Sequence, residues 1–593
     1  MMSKILNFLR ILSRPLRREW PFILIFTIMV APTSWFIIGR LFYILEASIP
    51  SVSAIASALF FGYLLAWILT VCRQRTLRII LKLMFYGAGL ALYYLHFVTE
   101  VLMDQTISPI TLQLIVQTNP DEAEGFLDTF VRPELPKLLL IGALFIIGAF
   151  VLEKYKSLIN SRISRIGGGN IRKFAIGGAL GLLALGTYEN LRRACIYSMD
   201  YETLNQWITD NWYNHNTVTS IIYSVQCMNR TIEEYNRWEQ RQRNMPQAST
   251  PDKIASDSLR IVFVLGESYN RLHSQLYGYR LPTTPRQCRE MADSALVRFD
   301  DYATIAKTTS EVICNSFCLN SFSDGENWNQ SLFFPRIMSE AGWDVRLYDN
   351  NISGKAVYNS LMRTVLMSDY LRDNCFSEVV VPPAFVHDIP FLAEPLSRPL
   401  PKEKANSLTI FHIYGQHIPF SRAVYDGVDR FKASDYEALD KPWLDDKRRA
   451  TIADYDNATL TNDSVFGMII DKYRDSNSVV IYMSDHGEEA YDFRDSFGRH
   501  NRTTQTQEEY IDTYFMIPAM VWMSPRFREL YPDKVKSLRE AAGRRGSIDE
   551  VGYLILGLSE ISTPAYRADR DIASPAYRPL RRRTNEDFFI DGN

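Results

Sequence analysis

The stretch VIYMSDHGEEAYD, residues Val480–Asp492, places Asp485 and His486 side by side directly after an apolar run. Residues 479–483 have the pattern of a short buried β-strand, and Gly487 permits a sharp turn after it. In an open α/β sheet, ligands bind at the carboxyl ends of the strands, where this pair is predicted to lie. An isolated Asp-His pair is more often part of an exposed charged loop, so a metal site here needs further ligands from elsewhere in the chain.

A second apolar run, LRIVFVLGES at residues 259–268, ends in the same way, with Glu267 at its tip. It opens a region in which strand and helix patterns alternate, and this alternation predicts an α/β domain over residues 258–561. Between the two runs, Thr308, Thr309 and Ser310 precede an apolar helical pattern. A hydroxyl at this place either caps the helix or lies where backbone N–H groups can hold a phosphate.

Histidine is scarce, with eight residues in the chain, so the position of each is informative. His417 follows a strand pattern in IFHIYGQHIPF, and His500 follows the Asp485-His486 pair in FGRHNRT. We expect His412 to point into the core along its strand and His96 to pack within an apolar helix. Carboxylates, imidazoles and a hydroxyl nucleophile together suit zinc, which accepts mixed nitrogen and oxygen ligands.

The first third of the chain carries five long apolar windows: Phe22–Gly39, Ser53–Val71, Ile79–Thr99, Leu138–Leu152 and Phe174–Thr187. Each approaches the ~20 residues that cross a bilayer core, although the last two are short. Buried helices of a soluble protein are the alternative. The windows predict a membrane domain of five helices over residues 1–188, whose first span stays in place as an anchor.

The charges between the windows set the predicted orientation. The segment before the first window and the second and fourth connections are basic, with Lys4, Arg10, Arg14, Arg17, Arg18, Arg73, Arg75, Arg78, Lys154, Lys156, Arg162, Arg165, Arg172 and Lys173. The positive-inside rule places these segments in the cytoplasm. The third connection, Glu100–Leu135, is acidic and is predicted to lie outside, as is everything after about Tyr188. Lys82 can extend from the cytoplasmic end of the third span.

Residues 189–257 are polar and are predicted to connect the two domains near the membrane surface. Residues 562–593 are predicted to form a polar, proline-bearing tail that wraps or frays. A net charge of −2 gives no indication of nucleic-acid binding.

Six of the seven cysteines fall in the portion that is predicted to lie outside, where they form up to three disulfides of undetermined pairing or remain free. These six are Cys195, Cys227, Cys288, Cys314, Cys318 and Cys375.

Four motifs in order carry a family resemblance. They are QTNPDEAEGFL at 117–127, VLGESYNRLHSQLYGYRLPTTP at 264–285, YDNATLTND at 455–463 and SDHGEEAYD at 484–492. Together with the five-span topology, they resemble the membrane-bound phosphoethanolamine transferases of Gram-negative envelopes, within the alkaline phosphatase and sulfatase superfamily. The resemblance covers nearly the whole chain. It implies a five-helix membrane domain followed by a sulfatase-like α/β/α catalytic domain.

The resemblance also implies a set of site residues. One firmly bound zinc, favoured over manganese, would be held by Glu267, a nucleophilic threonine, Asp485 and His486. His417 and His500 would bind the phosphate or a second metal. The remaining candidates are Lys355, Asn350 and Asn351 for the phosphate, and Asn119 and Glu122 for the lipid headgroup. Ordinary surface polarity is the alternative for Asn350, Asn351, Asn119 and Glu122.

The identity of the nucleophile rests on a second resemblance. The order TTSE is similar to the nucleophile segment of lipoteichoic acid synthases, which points to Thr309, with Thr308 as the alternative. Lipid A-modifying members of the family flank their nucleophile with a cysteine on each side, whereas here only Cys314 follows. This departure leaves the acceptor open.

The implied reaction transfers phosphoethanolamine from phosphatidylethanolamine to an envelope glycan such as lipid A or the lipopolysaccharide core, by way of a phosphothreonine. The resemblance implies a monomer in the bacterial inner membrane, with its catalytic domain in the periplasm. The alternatives are a glycerol-phosphate transferase of the lipoteichoic acid synthase type and a metal-free envelope scaffold. A sulfatase is disfavoured, because no Cys-x-Pro-Ser-Arg segment is present to supply its modified nucleophile.

Overall fold

The structure is a computed structural model of the chain. It describes residues 2–31, 44–102, 107, 112, 115, 120–166, 170–196, 216–244, 258–351, 369–382, 385–400, 406–499, 505–586 and 588–591. The chain divides into two compact units. The first consists of Met1–Ile115 and Phe126–Arg230, and the second of Val116–Gly125 and Thr231–Asn593.

The first unit is helical. Its helices are Met2–Arg18, Trp20–Val30, Ile44–Val71, Arg75–His96, Leu135–Ile166 and Asn170–Ile196, with π-helical turns at Phe97–Leu102 and Leu127–Val131. The boundary between the units falls within two further helices, Pro120–Phe126 and Thr217–Arg243. Apolar side chains from the helices of the first unit form one buried cluster, which includes Phe22, Phe26, Tyr63 and Tyr93.

Three helical stretches among the described residues have the length and apolar composition needed to cross a membrane: Val52–Val71, Arg75–Thr99 and Leu135–Arg162. They contain the second, third and fourth predicted windows. Helix Trp20–Val30 is apolar but has only 11 residues, and residues 32–39 of the first window lie outside the described residues. The fifth window lies within helix Asn170–Ile196, which does not meet these criteria. The count of five spans therefore stays a prediction.

The second unit contains a sheet of seven strands: β1 Arg260–Gly266, β2 Leu296–Arg298, β4 Asp344–Asp349, β5 Glu378–Val380, β6 Ser407–His412, β7 Ser478–Ser484 and β10 Ala519–Met523. Their order in the sheet is β2-β10-β7-β1-β6-β4-β5. The five strands from β7 to β5 in this order run parallel, and β10 runs antiparallel to β7 and β2. The predicted α/β class is confirmed.

Both faces of this sheet are buried, because the apolar residues of its central strands alternate between two cores. In β1, Ile261, Phe263 and Leu265 join one apolar cluster, whereas Val262 and Val264 join another. A parallel strand that is covered on both faces has a continuous run of apolar residues in its sequence. The segments VFVLG in β1 and VIYMS in β7 show this pattern. At the carboxyl edge of the sheet, Glu267 follows directly where β1 ends and is itself fully buried.

Helices and short strands complete the second unit. The helices are Pro285–Ala292, Thr309–Ser316, Phe334–Glu340, Asp369–Cys375, Asp388–Ser397, Phe420–Ala423, Asp446–Tyr473, Gln507–Tyr514, Pro525–Leu530, Pro532–Ala541 and Val551–Ser559. Two small sheets pair β3 Asp301–Ala303 with β11 Arg545–Ser547, and β8 Glu489–Ala490 with β9 Phe497–Gly498. Among the described residues, Cys72, Cys288, Cys314, Cys318 and Cys375 are free thiols.

Candidate active site

Two neighbouring strands bring the candidate ligands together. Strands β1 and β7 are parallel and pair in register through Gly266 and Ser484, so that Glu267 and Asp485 leave the sheet at the same edge. The Asp485 N–H donates to the Gly266 carbonyl at 2.9 Å and extends this pairing. Glu267, Asp485 and His486 are fully buried, and their ligand atoms lie within 4.8 Å of one another. The sequence prediction that these residues meet is thus supported by the geometry.

Thr309 faces this cluster, whereas its neighbour does not. The Thr309 hydroxyl donates to Glu267 Oε2 at 3.0 Å, and its Oγ1 lies 3.5 Å from His486 Nε2. Thr309 is the first residue of helix Thr309–Ser316, and Thr308 is the N-cap. The Thr308 hydroxyl donates instead to Glu311 Oε2 at 2.7 Å. Of the two threonines, only Thr309 has its hydroxyl at the ligand cluster.

Ser268 and Asn351 orient the two carboxylates. Ser268 has a left-handed backbone, with φ 57°, and its N–H donates to Asp485 Oδ1 at 2.9 Å. Its hydroxyl lies 2.9 Å from Glu267 Oε1 and 3.0 Å from Glu488 Oε2. The Asn351 amide donates to Glu267 Oε2 at 2.6 Å. These contacts fix both carboxylates toward the same point.

The protonation of His486 suits a metal ligand. Its Nδ1 lies 2.9 Å from the Gly487 carbonyl, which requires the hydrogen on Nδ1 and leaves the Nε2 lone pair facing the cluster. Burial and the nearby Arg499 charge lower the pKa of His486 to about 3. The imidazole is therefore neutral at physiological pH, as ligation requires.

The two carboxylates repel each other. Burial and the Glu267 charge raise the pKa of Asp485 well above its usual value. Burial also acts to raise the pKa of Glu267, but the groups that surround it, the His486 and His417 imidazoles and the Arg499 guanidinium, outweigh burial and hold this pKa below its usual value. A cation between the carboxylates would relieve their repulsion.

The donor set fits a zinc ion. Two carboxylates, a neutral imidazole and a hydroxyl are the mixed oxygen and nitrogen ligands that zinc accepts. Asp485 Oδ2 is buried and accepts no hydrogen bond from the described residues. A buried carboxylate oxygen without a donor is costly unless a cation binds it. Glu267, Asp485, His486 and Thr309 are therefore the residues that could hold the ion.

The chain matches a known family over its α/β unit. The family described as Sulfatase matches residues 260–559, about half of the chain. The chain belongs to the sulfatase family.

Curated relatives of this sulfatase-family protein are phosphoethanolamine transferases. It is 25% identical over 346 residues to phosphoethanolamine transferase EptC from Escherichia coli O18:K1:H7 (strain RS218 / NMEC), in a match that covers 57% of each chain. It is 26% identical over 289 residues to phosphoethanolamine transferase EptA from Helicobacter pylori, with 45% of this chain and 48% of the relative covered. The chain thus spans about half the length of these relatives.

A solved structure shows a similar fold. The integral membrane protein lipooligosaccharide phosphoethanolamine transferase A (EptA) from Neisseria meningitidis aligns with a TM-score of 0.58 at 18% identity. The alignment covers 96% of this chain and 98% of that one. An N-terminal helical region followed by a sulfatase-like α/β domain is therefore the architecture of both proteins.

The remaining predicted residues have different places in this sulfatase-family protein. The His417 ring packs against Tyr414, and its Nδ1 lies 2.7 Å from the Ile418 carbonyl. The Asn350 amide points away from the cluster, to Asp388 and the Val386 carbonyl. His412 is fully buried, as expected, and its Nε2 lies 3.3 Å from the Asn351 amide nitrogen. Asn119, Lys355, His500 and the Glu122 side chain lie outside the described residues.

Arg499 is a site residue that the sequence reasoning missed. Its Nη1 lies 3.0 Å from His486 Nε2, and its Nε lies 3.6 Å from Glu488 Oε2. The guanidinium thus brings a positive charge to the edge of the ligand cluster. The available signal was its position next to the candidate His500, in a short segment that returns toward the sheet edge after Asp485.

Three of the sequence motifs meet in one network. His273, from the motif that follows β1, has Nδ1 2.6 Å from Asp456 Oδ1 and Nε2 3.2 Å from Asp492 Oδ2. The Tyr455 hydroxyl donates to the Ser268 carbonyl at 2.6 Å and accepts the Asn270 N–H at 2.8 Å. These motif residues therefore stabilise the loop that follows β1 and Glu267. None of these hydrogen bonds involves the metal-ligand cluster in which a phosphate would bind.

Proposed function

We propose that this protein is a phosphoethanolamine transferase, which moves phosphoethanolamine from phosphatidylethanolamine to an envelope glycan. The observation that carries the proposal is the Thr309 hydroxyl, 3.0 Å from Glu267 Oε2, beside a buried Glu-Asp-His cluster at the sheet edge. The similarity to the phosphoethanolamine transferases of Escherichia coli and Helicobacter pylori supports the transferred group.

Glu267, Asp485, His486 and Thr309 would hold one zinc ion. When bound, zinc lowers the pKa of a coordinated hydroxyl and neutralises charge on a phosphoryl oxygen. Among the described residues, the cluster is the only group of three His, Cys, Asp or Glu side chains in which each offers one ligand atom and all these atoms lie within 4.8 Å of one another. This supports one firmly held ion, with His417 and His500 as candidates for the phosphate or for a second metal.

Two displacements account for the reaction. Thr309 Oγ1 attacks the phosphorus of phosphatidylethanolamine, and its proton leaves along the hydrogen bond to Glu267 Oε2. The bond between phosphorus and the diacylglycerol oxygen breaks, and that oxygen takes the proton that Thr309 gave up, so that Glu267 only relays it and diacylglycerol leaves. An acceptor hydroxyl or protonated phosphate oxygen then attacks the phosphorus of the phosphothreonine, the bond between phosphorus and Thr309 Oγ1 breaks, and the acceptor's proton returns to Oγ1. The Arg499 guanidinium and Lys355 would neutralise charge on the phosphoryl oxygens.

The membrane setting follows from the lipid donor. The proposed topology places the α/β unit in the periplasm, at the inner membrane, where donor and glycan acceptor lie at the bilayer surface. Helix Pro120–Phe126, which carries Glu122, lies close to the loop after His417, because a Cβ added at Gly125 would lie 3.2 Å from Pro419 Cδ. That Asn119 and Glu122 meet the lipid headgroup stays a prediction of the family resemblance. A monomer is sufficient for this chemistry.

Two alternative functions make different predictions. A glycerol-phosphate transferase would share the threonine chemistry but use phosphatidylglycerol as donor. A metal-free scaffold would not need the Thr309 hydroxyl to face the cluster. The acceptor, whether lipid A, a core sugar or another glycan, is best identified by mass spectrometry of envelope glycans from cells with and without the gene.

The nucleophile is tested by trapping the covalent adduct. The purified chain is incubated with phosphatidylethanolamine and no acceptor, and the tryptic peptide Thr308–Arg336 is sequenced by mass spectrometry. We expect phosphoethanolamine on Thr309, its loss in Thr309→Ala, partial retention in Thr309→Ser, and no effect of the control Thr308→Ala. An adduct on Thr308 would contradict the assignment, and transfer without any adduct would indicate direct displacement. An adduct formed from phosphatidylglycerol alone would favour the glycerol-phosphate alternative.

A further inference from the structure

The last residues of the chain reach the loop that carries the nucleophile. Residues 582–586 and 588–591, together named here the C-terminal clasp, pair with one another: the Thr584 N–H donates to the Phe588 carbonyl and the Ile590 N–H to the Arg582 carbonyl, both at 2.9 Å. Arg582 is 5% exposed and pairs with Asp591 at 2.6 Å and with Asp301 at 2.7 Å. These ion pairs anchor the base of the clasp to the α/β unit.

The tip of the clasp makes three contacts with residues 305–311. The Asn585 N–H donates to the Ile305 carbonyl at 2.9 Å, and the Asn585 side-chain amide donates to Glu311 Oε2 at 2.5 Å. The Glu586 carboxylate pairs with Lys307 Nζ at 2.8 Å. The contacts bracket Thr309 from both sides, and none of them touches Thr309 itself.

A tyrosine of the α/β unit ties the clasp and the loop together. The Tyr510 hydroxyl lies 2.9 Å from Glu586 Oε2, and Lys307 Nζ donates to the same hydroxyl at 2.7 Å. Tyr510 is 1% exposed and packs against Phe588 of the clasp. The tip is therefore held against a buried side chain.

The clasp and Thr308 share one hydrogen-bond acceptor, Glu311. This shared contact explains how the clasp influences which of the two adjacent threonine hydroxyls faces the ligand cluster. Glu311 Oε2 accepts both from the Asn585 amide and from the Thr308 hydroxyl, at 2.7 Å for the latter. With Glu311 fixed in this way, the Thr308 hydroxyl is held away from the ligand cluster, and the Thr309 hydroxyl on the same turn meets Glu267. Loss of the Asn585 amide would leave Glu311 and Thr308 free to reorient.

We propose that the C-terminal clasp is a positioning element: Asn585 and Glu586 lock residues 305–311 so that Thr309, and not Thr308, faces the metal-ligand cluster. This proposal rests on the proposed transferase function for its effect on turnover, but its structural part does not. A displacement of about 1 Å at a reacting group costs on the order of a hundredfold in rate, so a loosened loop should have a measurable effect.

Hydrogen-deuterium exchange and turnover together test the clasp. The variants are Asn585→Ala, Glu586→Gln and the rescue variant Asn585→Gln, each in the full chain in detergent. The matched control is Asn374→Ala, which removes an exposed amide that donates to the Tyr370 carbonyl at 2.8 Å in helix Asp369–Cys375. The readouts are exchange of the peptide covering residues 305–317, bound zinc, kcat and KM for phosphatidylethanolamine, and the site of the adduct.

We expect exchange at residues 305–311 to rise on the order of tenfold in Asn585→Ala and Glu586→Gln, but not in Asn374→Ala. The same variants should lose about tenfold or more in kcat with little change in KM or zinc content, and part of the adduct should move to Thr308. Asn585→Gln should recover part of kcat. Unchanged exchange at 305–311, a rise spread over the whole unit, or wild-type kcat in both clasp variants would each overturn the proposal. If the wild-type chain transfers nothing, the proposed function fails, and exchange alone still decides the clasp.

Discussion

Gly415 lies against the backbone of Glu267. A Cβ built on Gly415 would lie 2.6 Å from the Glu267 carbonyl oxygen and 2.9 Å from its nitrogen, and Gly415 has φ +55°. The Gln416 N–H donates to the same carbonyl at 3.0 Å, and the Gly415 N–H donates to Asp388 Oδ2 at 2.9 Å. The loop after β6 therefore supports the tip of β1 directly through its backbone, which leaves no room for a side chain.

Gly415→Ala should displace Glu267 and weaken the metal site. The collision is with backbone atoms, which cannot rotate away, and left-handed backbone adds roughly 1 kcal/mol of strain for alanine. We expect about a tenfold or greater loss of zinc affinity and of transfer rate, together with a lower thermal midpoint. Gly427→Ala is the matched control, because Gly427 has φ +87° with nothing within 4 Å of the added Cβ. Equal effects of the two substitutions would refute the supporting role of Gly415.

Asp485→Asn should remove zinc while preserving the fold. The asparagine has the same shape but lacks the charge that balances the ion, and Asp485 Oδ2 has no hydrogen-bond donor among the described residues that would compensate. Zinc per chain is measured on purified protein by atomic emission. The control is Asp549→Asn, at a carboxylate that is also buried but accepts the Phe322 N–H outside the cluster. Full zinc content in Asp485→Asn would show that the assigned ligand set is wrong.

The sequence predicted the strand tips because burial on both faces leaves a continuous apolar run with a polar residue at its end. Glu267, Asp485 and His486 could be placed at one edge on that pattern alone, since parallel strands end together. The choice of Thr309 needed a family resemblance, because two adjacent threonines share the same pattern. Their difference lies in a contact with Glu311 that no local pattern reveals.

Contacts between distant segments account for the residues that sequence reasoning did not assign. Arg499 contacts His486, and Asn585 contacts Glu311, which is 274 positions away in the chain. Both contacts depend on the course of loops, whose sequences have no hydrophobic periodicity from which a structure could be predicted. Asn350 and Asn351 are adjacent in the chain directly after β4, but their side chains point in opposite directions. Only the geometry of this turn therefore decides that Asn351, and not Asn350, contacts Glu267. Side-chain contacts of this kind are set by the three-dimensional fold, and the local sequence pattern does not predict them.

The five-span orientation predicts which sites a membrane-impermeant thiol reagent can reach. In a chain whose native cysteines are replaced by serine, a cysteine at position 120 should be labelled from the periplasmic side, because its acidic connection is predicted to lie outside. A cysteine at position 160 should be labelled only after the membrane is permeabilised, since its connection is basic. Labelling of position 160 in intact spheroplasts, with position 120 protected, would reverse the orientation and place the α/β unit in the cytoplasm.

His273 should make the stability of the α/β unit depend on pH. Burial acts to lower the pKa of His273, but the charges of Asp492 and Asp456 outweigh it and raise the pKa to about 10. The folded state therefore binds this proton more tightly than the unfolded state, in which the pKa is about 6.5. The contribution to stability is fully present below about pH 6.5 and is lost as pH rises toward about 10.

His273→Gln should remove this dependence, because glutamine can still hydrogen-bond to one aspartate but carries no charge. Thermal midpoints of the full chain in detergent, measured from pH 6 to pH 10, should fall more steeply for the wild type than for His273→Gln, with the two curves converging toward high pH. His387→Gln is the control, since the His387 ring packs on Phe385 and Tyr425 and forms no part of the Asp456–Asp492 network. Other groups titrate in the same window, so the difference between the curves is the quantity that decides. Parallel curves for the wild type and His273→Gln would show that the His273 proton does not stabilise the loop after β1.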